Sequence, residues 1–356
     1  MPTTIEVTPQ DLVSSRFAIS PLVEAMHAQW VLAGRVEAGV HGPWVARWRA
    51  TYRMLEREHL ALRAVALISG NRGNANVDFI APPPTATDVP FEDELAAMRA
   101  TSPAQAHAEI AGALAGRPPV TGPFRELLLG PYVVERLADA YEALWTEILS
   151  HEWPRLRAIL QRDVAQRAGR LAAYGWAAAL EDLSPRVHWR RGGQIEIEMY
   201  SSGTHRLGGK GLLFLPSAFT GGVGAYLADA WPYALVYPAR GTAAALPAPD
   251  ADLSQLIGRS RARILAELAE PATTTQLAAL LGQSLGTTGE HVAALRRTGL
   301  IAGTRTGRSV LYARTPLGDA LINARLDREA EPEHRAGPSS RLDGPADRVA
   351  GTVSGR

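Results

Sequence analysis

The feature that most constrains this chain is the punctuation between residues 253 and 328, where helix starts, helix stops and a tight hairpin succeed one another in close order. Leu253, Ile257, Ile264, Leu265 and Leu268 form one apolar stripe that ends at Glu270-Pro271. Proline disfavours helical backbone in the residue before it, so a single helix is expected to stop there. Thr273 with Gln276 three residues on has the form of a capping box, in which each side chain satisfies the other's free amide. The short helix it opens runs through Leu277, Leu280 and Leu281 to Gly282, a residue suited to a left-handed terminus. Ser284 caps the next helix, which passes through Val292 and Leu295 to Thr298, with Gly299 as its terminator. Two short helices about a glycine-bearing turn make a helix-turn-helix.

A hairpin comes next in the chain. Residues 300–305 and 310–314 flank Thr306, Gly307, Arg308 and Ser309, a tip that carries glycine and arginine, and this reads as a wing. Thr315-Pro316 then opens a last helix, whose Leu317, Ala320, Leu321 and Leu326 offer a surface for dimer packing. Charge collects on the same segment. The whole chain of 356 residues has a formal net charge of only +1. Between residues 253 and 315, however, Arg259, Arg261, Arg263, Arg296, Arg297, Arg305, Arg308 and Arg314 face Glu267, Glu270 and Glu290, an excess of five positive charges. Positive charge at that density draws the phosphate backbone and makes affinity salt-dependent.

The rest of the chain has a different texture. Residues 9–183 carry helical periodicity interrupted by proline and glycine. Ser20-Pro21 opens one helix with Leu22, Met26, Trp30 and Leu32, and Pro43 opens another through Trp44, Trp48, Tyr52 and Leu55. Further helices are expected over residues 92–98, 103–114, 133–149 and 153–171. Beyond His188 the period changes to two: Ile195, Ile197 and Met199 alternate with Glu196, Glu198 and Tyr200, and residues 212–215 and 234–237 have strand character, closed by Pro216 and Pro238. A small sheet is expected to come after the helical body. The aromatics Trp30, Trp44, Trp48, Tyr52, Trp145, Trp153, Tyr174 and Trp176 are read as its core, with some of them lining a pocket for an apolar ligand. Residues 241–252, rich in Ala and Pro, read as a linker, and the polar 329–356 as a disordered tail.

At this point the residues show a resemblance. The stretch TTTQLAALLGQSLGTTGEHVAALRRTGLIAGTRTGRSVLYARTPLGDALI resembles the winged helix-turn-helix of ArsR/SmtB-type bacterial regulators, through the short helix, the Ser cap, His291, the L-R-x-x-G-L-I exit and the G-R-S-V-L-Y wing. The N-terminal part, including SRFAISPLVEAM and LVYPARG, is similar to an uncharacterised domain that precedes such winged helices in actinobacterial regulators. The resemblance implies that residues after the Ser284 cap enter the major groove, namely Gly286, Thr287, Gly289, Glu290 and His291, with Arg297 and the wing residues Arg305, Arg308 and Ser309 on the backbone or minor groove. The sequence departs from the family pattern at Leu285, where proline is common, at the two glycines inside the helix, and at Glu290, where a basic residue is frequent.

Other chemistries have thin support. The chain has no cysteine, so disulfides, thiolate metal sites and cysteine nucleophiles are excluded. The family's usual metal-binding helix holds Leu277, Ala278, Ala279 and Leu280, and Asp319 has no partner histidine before His334, so no metal or cofactor is expected. Gly208-Gly209-Lys210-Gly211 has Thr204 where a phosphate loop needs its first glycine and Gly211 where it needs Ser or Thr; it reads as a tight strand connection. His151-Glu152 lacks the second histidine of a zinc-protease helix, and His188, His205, Glu196 and Glu198 fit solvent-facing strand positions. The first residues show no signal or transit peptide and no apolar run spans a bilayer, so a cytoplasmic location without membrane contact is expected.

The expectation is therefore an α+β, mainly helical protein: residues 1–240 as an N-terminal sensing part, a linker, residues 253–328 as a winged helix-turn-helix, and a tail. Its function is that of a transcription regulator, a repressor, binding double-stranded DNA as a homodimer and taking input from a small-molecule effector or partner. The competing reading is a dimeric scaffold that uses the winged helix for protein contact and never binds DNA. No enzymatic activity is expected.

Overall fold

The computed structural model describes residues 2–69, 77–181, 183–190, 192–199, 202–241, 251–307 and 309–323. It is mixed α+β and mainly helical. The expected tail, residues 242–250 of the expected linker, Leu326 and Arg308 lie outside the described residues.

The N-terminal part begins with β1 (Thr3–Glu6), α1 (Pro9–Ser14), β2 (Arg16–Phe17) and α2 (Pro21–Leu32). Ser20 caps α2 by accepting from the Val23 amide, as its sequence signature requires. The expected stripe on α2 is wider than one face. Leu22, Val23, Ala25, Met26, Ala28 and Val31 are all buried, so α2 is the central rod of the helical body. Around it stand α3 (Gly42–Glu58), α4 (Leu60–Ile68), α5 (Phe91–Arg99), α6 (Pro103–Leu114), α7 (Gly122–Leu128) and α8 (Val133–Leu144). A wide turn, Trp145–Leu149, carries α8 without interruption into α9 (Ser150–Glu181), so the break expected between residues 149 and 153 is absent. Pro154 lies inside this continuous helical run, where its ring removes one helical amide donor.

The strands depart from expectation in a way that matters. They form two four-stranded sheets rather than one small sheet after the helices. In the first, β1 lies between β4 (Gln194–Ile197), to which it is antiparallel, and β5 (Gly203–Arg206), to which it is parallel, with β3 (Val187–Arg190) outside. The second has the order β2, β6 (Leu213–Ser217), β8 (Ala234–Pro238) and β7 (Gly224–Tyr226). The first residues of the chain thus supply one strand to each sheet. Pro216 lies within β6, one residue before its end, while Pro238 is the last residue of β8, as expected.

The second sheet is buried on both faces. Leu213, Leu215, Ala234 and Val236 face the helical core, while Phe214, Leu235 and Tyr237 face a second core with Ile5, Ile195 and Ile197. Buried runs on parallel strands are the usual consequence of covering both faces. The span of α9 crosses these layers in two helical pieces that meet at Gly175, whose φ of 80° leaves the helical region: Leu156 and Leu160, before the break, join the helical core and Leu180, after it, joins the second one. Most of the aromatic residues expected in the core pack against one of these two clusters, but Tyr174 is 73% exposed and is no part of them.

The C-terminal part contains α10 (Ala251–Ile257), α11 (Arg259–Glu267), β9 (Ala272–Thr273), α12 (Thr274–Leu281), α13 (Leu285–Arg297), β10 (Ile301–Thr306), β11 (Ser309–Arg314) and α14 (Pro316–Asn323). The stripe expected to form one helix is broken at Gly258, whose φ of 85° leaves the helical region, so two short helices meet at an angle. Ile264, Leu265, Leu277, Leu281, Val292, Leu295 and Ile301 close a core of their own. Strand β9 pairs with β11 and makes the hairpin three-stranded.

Candidate nucleic-acid interface

Local chemistry builds this region as the sequence anticipates. The Thr273 hydroxyl accepts from the Gln276 amide at 3.2 Å, and Gln276 Oε1 accepts from the Thr273 amide at 2.8 Å, completing the capping box of α12. Gly282 ends that helix at φ 63°. Ser284 Oγ accepts from the Thr287 amide at 3.1 Å and lies 2.9 Å from the Thr287 hydroxyl, fixing the first turn of α13. The hairpin pairs Ile301 with Arg314 through Thr306 with Ser309, and Gly307 at φ 60° turns the tip.

On this frame Ser284, Gly286, Thr287 and Glu290 are exposed, and Gly289 and His291 are half-buried. The structure therefore gathers the expected α13 residues on its first two turns. Thr288 and Val292 point inward and are buried. Arg297, Arg305 and Ser309 are exposed. Glu290 has no ion pair among the described residues, so its charge stands uncancelled on this surface.

Two features went unread in the sequence. First, a concave groove of about 440 Å³ runs between α13, the start of α12 and the hairpin, lined by Thr274, Gly289, Ala293, Arg296, Arg297 and Tyr312. Gly289, Ala293 and Arg296 recur at helical spacing, a signal that could have placed Arg296 beside Arg297 in the expected set. Second, Leu285 is 56% exposed at the head of α13. An apolar side chain there suits contact with a thymine methyl better than with phosphate.

Two expectations need correction. Arg314 is not available to a partner: it pairs with Asp319 at 2.8 Å, its side chain only 17% exposed, and so ties the hairpin to α14. On α14, Leu321 packs against the domain's own core, while Leu317, 58% exposed, and Ala320 face outward. Glu267, counted among the acidic residues, is also engaged, with Arg162 of α9 at 3.3 Å.

Elsewhere, His188 lies 3.8 Å from Glu198, and Glu196 pairs with Arg190 at 2.6 Å. Among the described residues no group of three or more His, Cys, Asp or Glu is arranged to hold a metal ion, and no helix is long and apolar enough to cross a membrane.

Comparison with known families agrees with the geometry. Residues 258–304 match a family described as a helix-turn-helix domain, and residues 76–243 match a family of unknown function (DUF5937). No curated protein and no solved structure matches the chain. The C-terminal part is thus a helix-turn-helix domain, the domain type of DNA-binding transcription regulators. The match ends at residue 304, within β10, and the hairpin continues by strand pairing to Arg314.

Proposed function

We propose that this chain is an ArsR-type transcription repressor that binds double-stranded DNA as a homodimer and takes effector or partner input through its N-terminal part. Residues 1–240 are the sensing part and 253–328 the DNA-binding domain. The observation that carries the reading is the exposed first turns of α13 beside Arg296, Arg297 and Arg305, three exposed cations with no ion pair among the described residues. Ser284, Gly286, Thr287, Gly289, Glu290 and His291 then meet base edges or flanking phosphates, while the arginines and Ser309 position the backbone.

The route for input is the contact between α9 and the helix-turn-helix. Ala158 and Ile159 of α9 pack on Leu280 and Ala279 of α12, and the Arg162–Glu267 pair lies beside them. One residue on, Asp163 accepts from Tyr237 Oη at 2.8 Å and from the Arg240 amide at 3.0 Å, which holds α9 to the end of β8. A displacement of α9 moves α12, on which α13 packs, and so changes the spacing of two recognition helices in a dimer.

The test is fluorescence anisotropy of the full chain with DNA from upstream of its own gene at about 50 and 200 mM salt. A dimer making roughly six phosphate contacts should lose about a thousandfold in affinity across that range. Replacing Arg297 and Arg305 together by Ala should lower the salt slope by about four in the dimer. Absence of binding at low salt to own-promoter and genomic fragments, with the dimer intact, overturns the reading and selects the scaffold alternative.

A further inference from the structure

A second cleft, of about 330 Å³, opens at the starting edge of β2, β6 and β8, far along the chain from the helix-turn-helix. Its size is at the small end for ligand sites. Two cations stand on it: Arg16, the first residue of β2, and Lys210, in the connection between β5 and β6. Leu213, Trp231, Pro232 and Tyr233 supply apolar and aromatic wall.

The backbone that carries each cation is held in place before any ligand arrives. The buried Asp11 carboxylate accepts from the Gly209 amide at 2.7 Å and the Gly211 amide at 3.3 Å, clamping the backbone on either side of Lys210. Gly211 has φ 78°, and a Cβ there would lie 2.5 Å from Ser14 backbone, so the loop closes on α1 as only glycine permits. The short connection anticipated from Gly208-Gly209-Lys210-Gly211 is therefore a pinned loop that presents one side chain. Arg16 is fixed by its register opposite Leu213 and by its amide, which donates to Leu212 O at 3.1 Å.

The remaining groups sharpen the chemistry. Neither Lys210 nor Arg16 has an ion pair among the described residues; the Arg16 guanidinium donates only to the Thr85 carbonyl, at 3.3 Å. The cleft's carboxylate, Asp229, already accepts from the Tyr233 hydroxyl. Trp231 is immobilised by its indole N–H, which donates to Glu109 Oε1 at 3.1 Å. Lys210 is also the single lysine in a chain whose other basic residues are all arginine. Two cations on pinned backbone against one engaged carboxylate favour an anion, and the aromatic wall favours a flat apolar body.

We propose that this cleft binds a small aryl carboxylate, and that this compound is the effector. The assignment rests on the regulator reading and deepens it. The cleft and the helix-turn-helix are joined through β8: Tyr233 borders the cleft just before the strand, and Tyr237 on it bonds Asp163 of α9.

The single lysine makes the test direct. The full-length protein is acetylated with limiting N-hydroxysuccinimidyl acetate, and modification of Lys210 and of the N-terminal amine is read by peptide mass spectrometry. 4-Hydroxybenzoate at about tenfold excess over its Kd should slow acetylation of Lys210 by about tenfold through mass action and leave the N-terminal amine unaffected. Benzyl alcohol and benzyltrimethylammonium should not protect. Arg16→Met should abolish protection while its melting curve stays that of the parent. If neither 4-hydroxybenzoate nor benzoate protects at millimolar concentration, or if benzyl alcohol protects equally, the cleft assignment is overturned. Protection without a change in DNA affinity overturns the effector role and leaves DNA binding standing. Protection in a chain that binds no DNA overturns the regulator reading and leaves the cleft standing.

Discussion

The two parts of this molecule treat charge in opposite ways. In the C-terminal part Arg296, Arg297 and Arg305 are left in solvent without ion pairs, an arrangement that contributes little to folding and is available to a polyanion. In the N-terminal part ionisable groups are drawn into the core and tied down. Arg167, 1% exposed, pairs with Asp163 at 3.0 Å and lies 4.6 Å from the Tyr237 ring centre. Glu24 and Glu94 are buried among apolar helices. The contrast teaches where a lost side chain is felt in folding: a polar group taken from the N-terminal core leaves a buried partner short of a bond, whereas an exposed arginine of the C-terminal part can be removed at little cost.

The largest break in that comparison is Asp163→Ala. The substitution removes one partner each from the buried Arg167 guanidinium, the Tyr237 hydroxyl and the Arg240 amide, and removal of one partner of a buried pair typically costs about 3–5 kcal/mol. Denaturant unfolding should show the N-terminal part giving way first. Arg297→Ala, by contrast, should change stability by no more than about 0.5 kcal/mol while weakening DNA binding. Equal stability loss from both would erase the distinction between the two parts.

A pH series sharpens the same point. Burial drives the Glu24 and Glu94 carboxyls up to about 8 each, against the backbone and hydroxyl donors that favour ionisation. Burial, and then the nearby Glu109, drives Asp78 up to about 7. Such carboxyls hold their protons in the folded chain and release them in the unfolded one, so their contribution to stability is full below the ordinary carboxylate range and is lost as pH rises toward 8. Burial lowers His27 to about 4, which acts in the other direction: its contribution is present above 6.5 and is lost as pH falls toward 4. Between pH 6.5 and 8 the carboxyls alone remain, and the melting temperature should fall. Glu94→Gln keeps an acceptor for Ser20 and Leu22 and should remove roughly one proton from that dependence. Hydrogen exchange in residues 285–297 should be indifferent to the change. A melting temperature that rises from pH 6.5 to 8 would show that these carboxyls ionise freely in the folded chain.

Legibility in the sequence depends on distance along the chain. The capping box of Thr273 and Gln276, the Ser284 cap and the turn at Gly307 are decided by neighbours three or four residues away, so short windows suffice to find them. The sheets are decided by partners almost two hundred residues apart: Thr3 pairs with Ile197, and Arg16 with Leu213. Nothing local in β1 or β2 points to either register. The same reason hid the packing of Ile159 on Leu280, which joins the two parts. Gly258 was hidden differently, because the apolar stripe continues across it in period while its backbone leaves the helix. Of the candidate site, the α13 residues were legible, whereas the engagement of Arg314 by Asp319 needed the folded hairpin. Ser284→Ala tests the local part of this reasoning. Loss of the cap should cost about 1 kcal/mol, measured by thermal or denaturant unfolding, and an unchanged stability would deny Ser284 its role in starting α13.

The smallest effect separates the two roles most finely. Gly286 and Gly289 both sit in helical backbone, and a Cβ at Gly289 would meet nothing within 4 Å, while one at Gly286 would meet only the Ser284 hydroxyl at 4.0 Å. For folding alone these glycines are a liability, and alanine at either should stabilise α13 by about 0.5–1 kcal/mol. Their presence is therefore to be explained by what approaches the helix from outside. Gly289 borders the groove between α13 and the hairpin, so a methyl group there stands where a phosphate or base edge would come close. Gly289→Ala should raise the melting temperature and lower DNA affinity together, with the salt slope unchanged because no charge is lost. A variant that is more stable and binds DNA as tightly as the parent would move the contact surface away from this groove, toward Leu285 and the head of the helix.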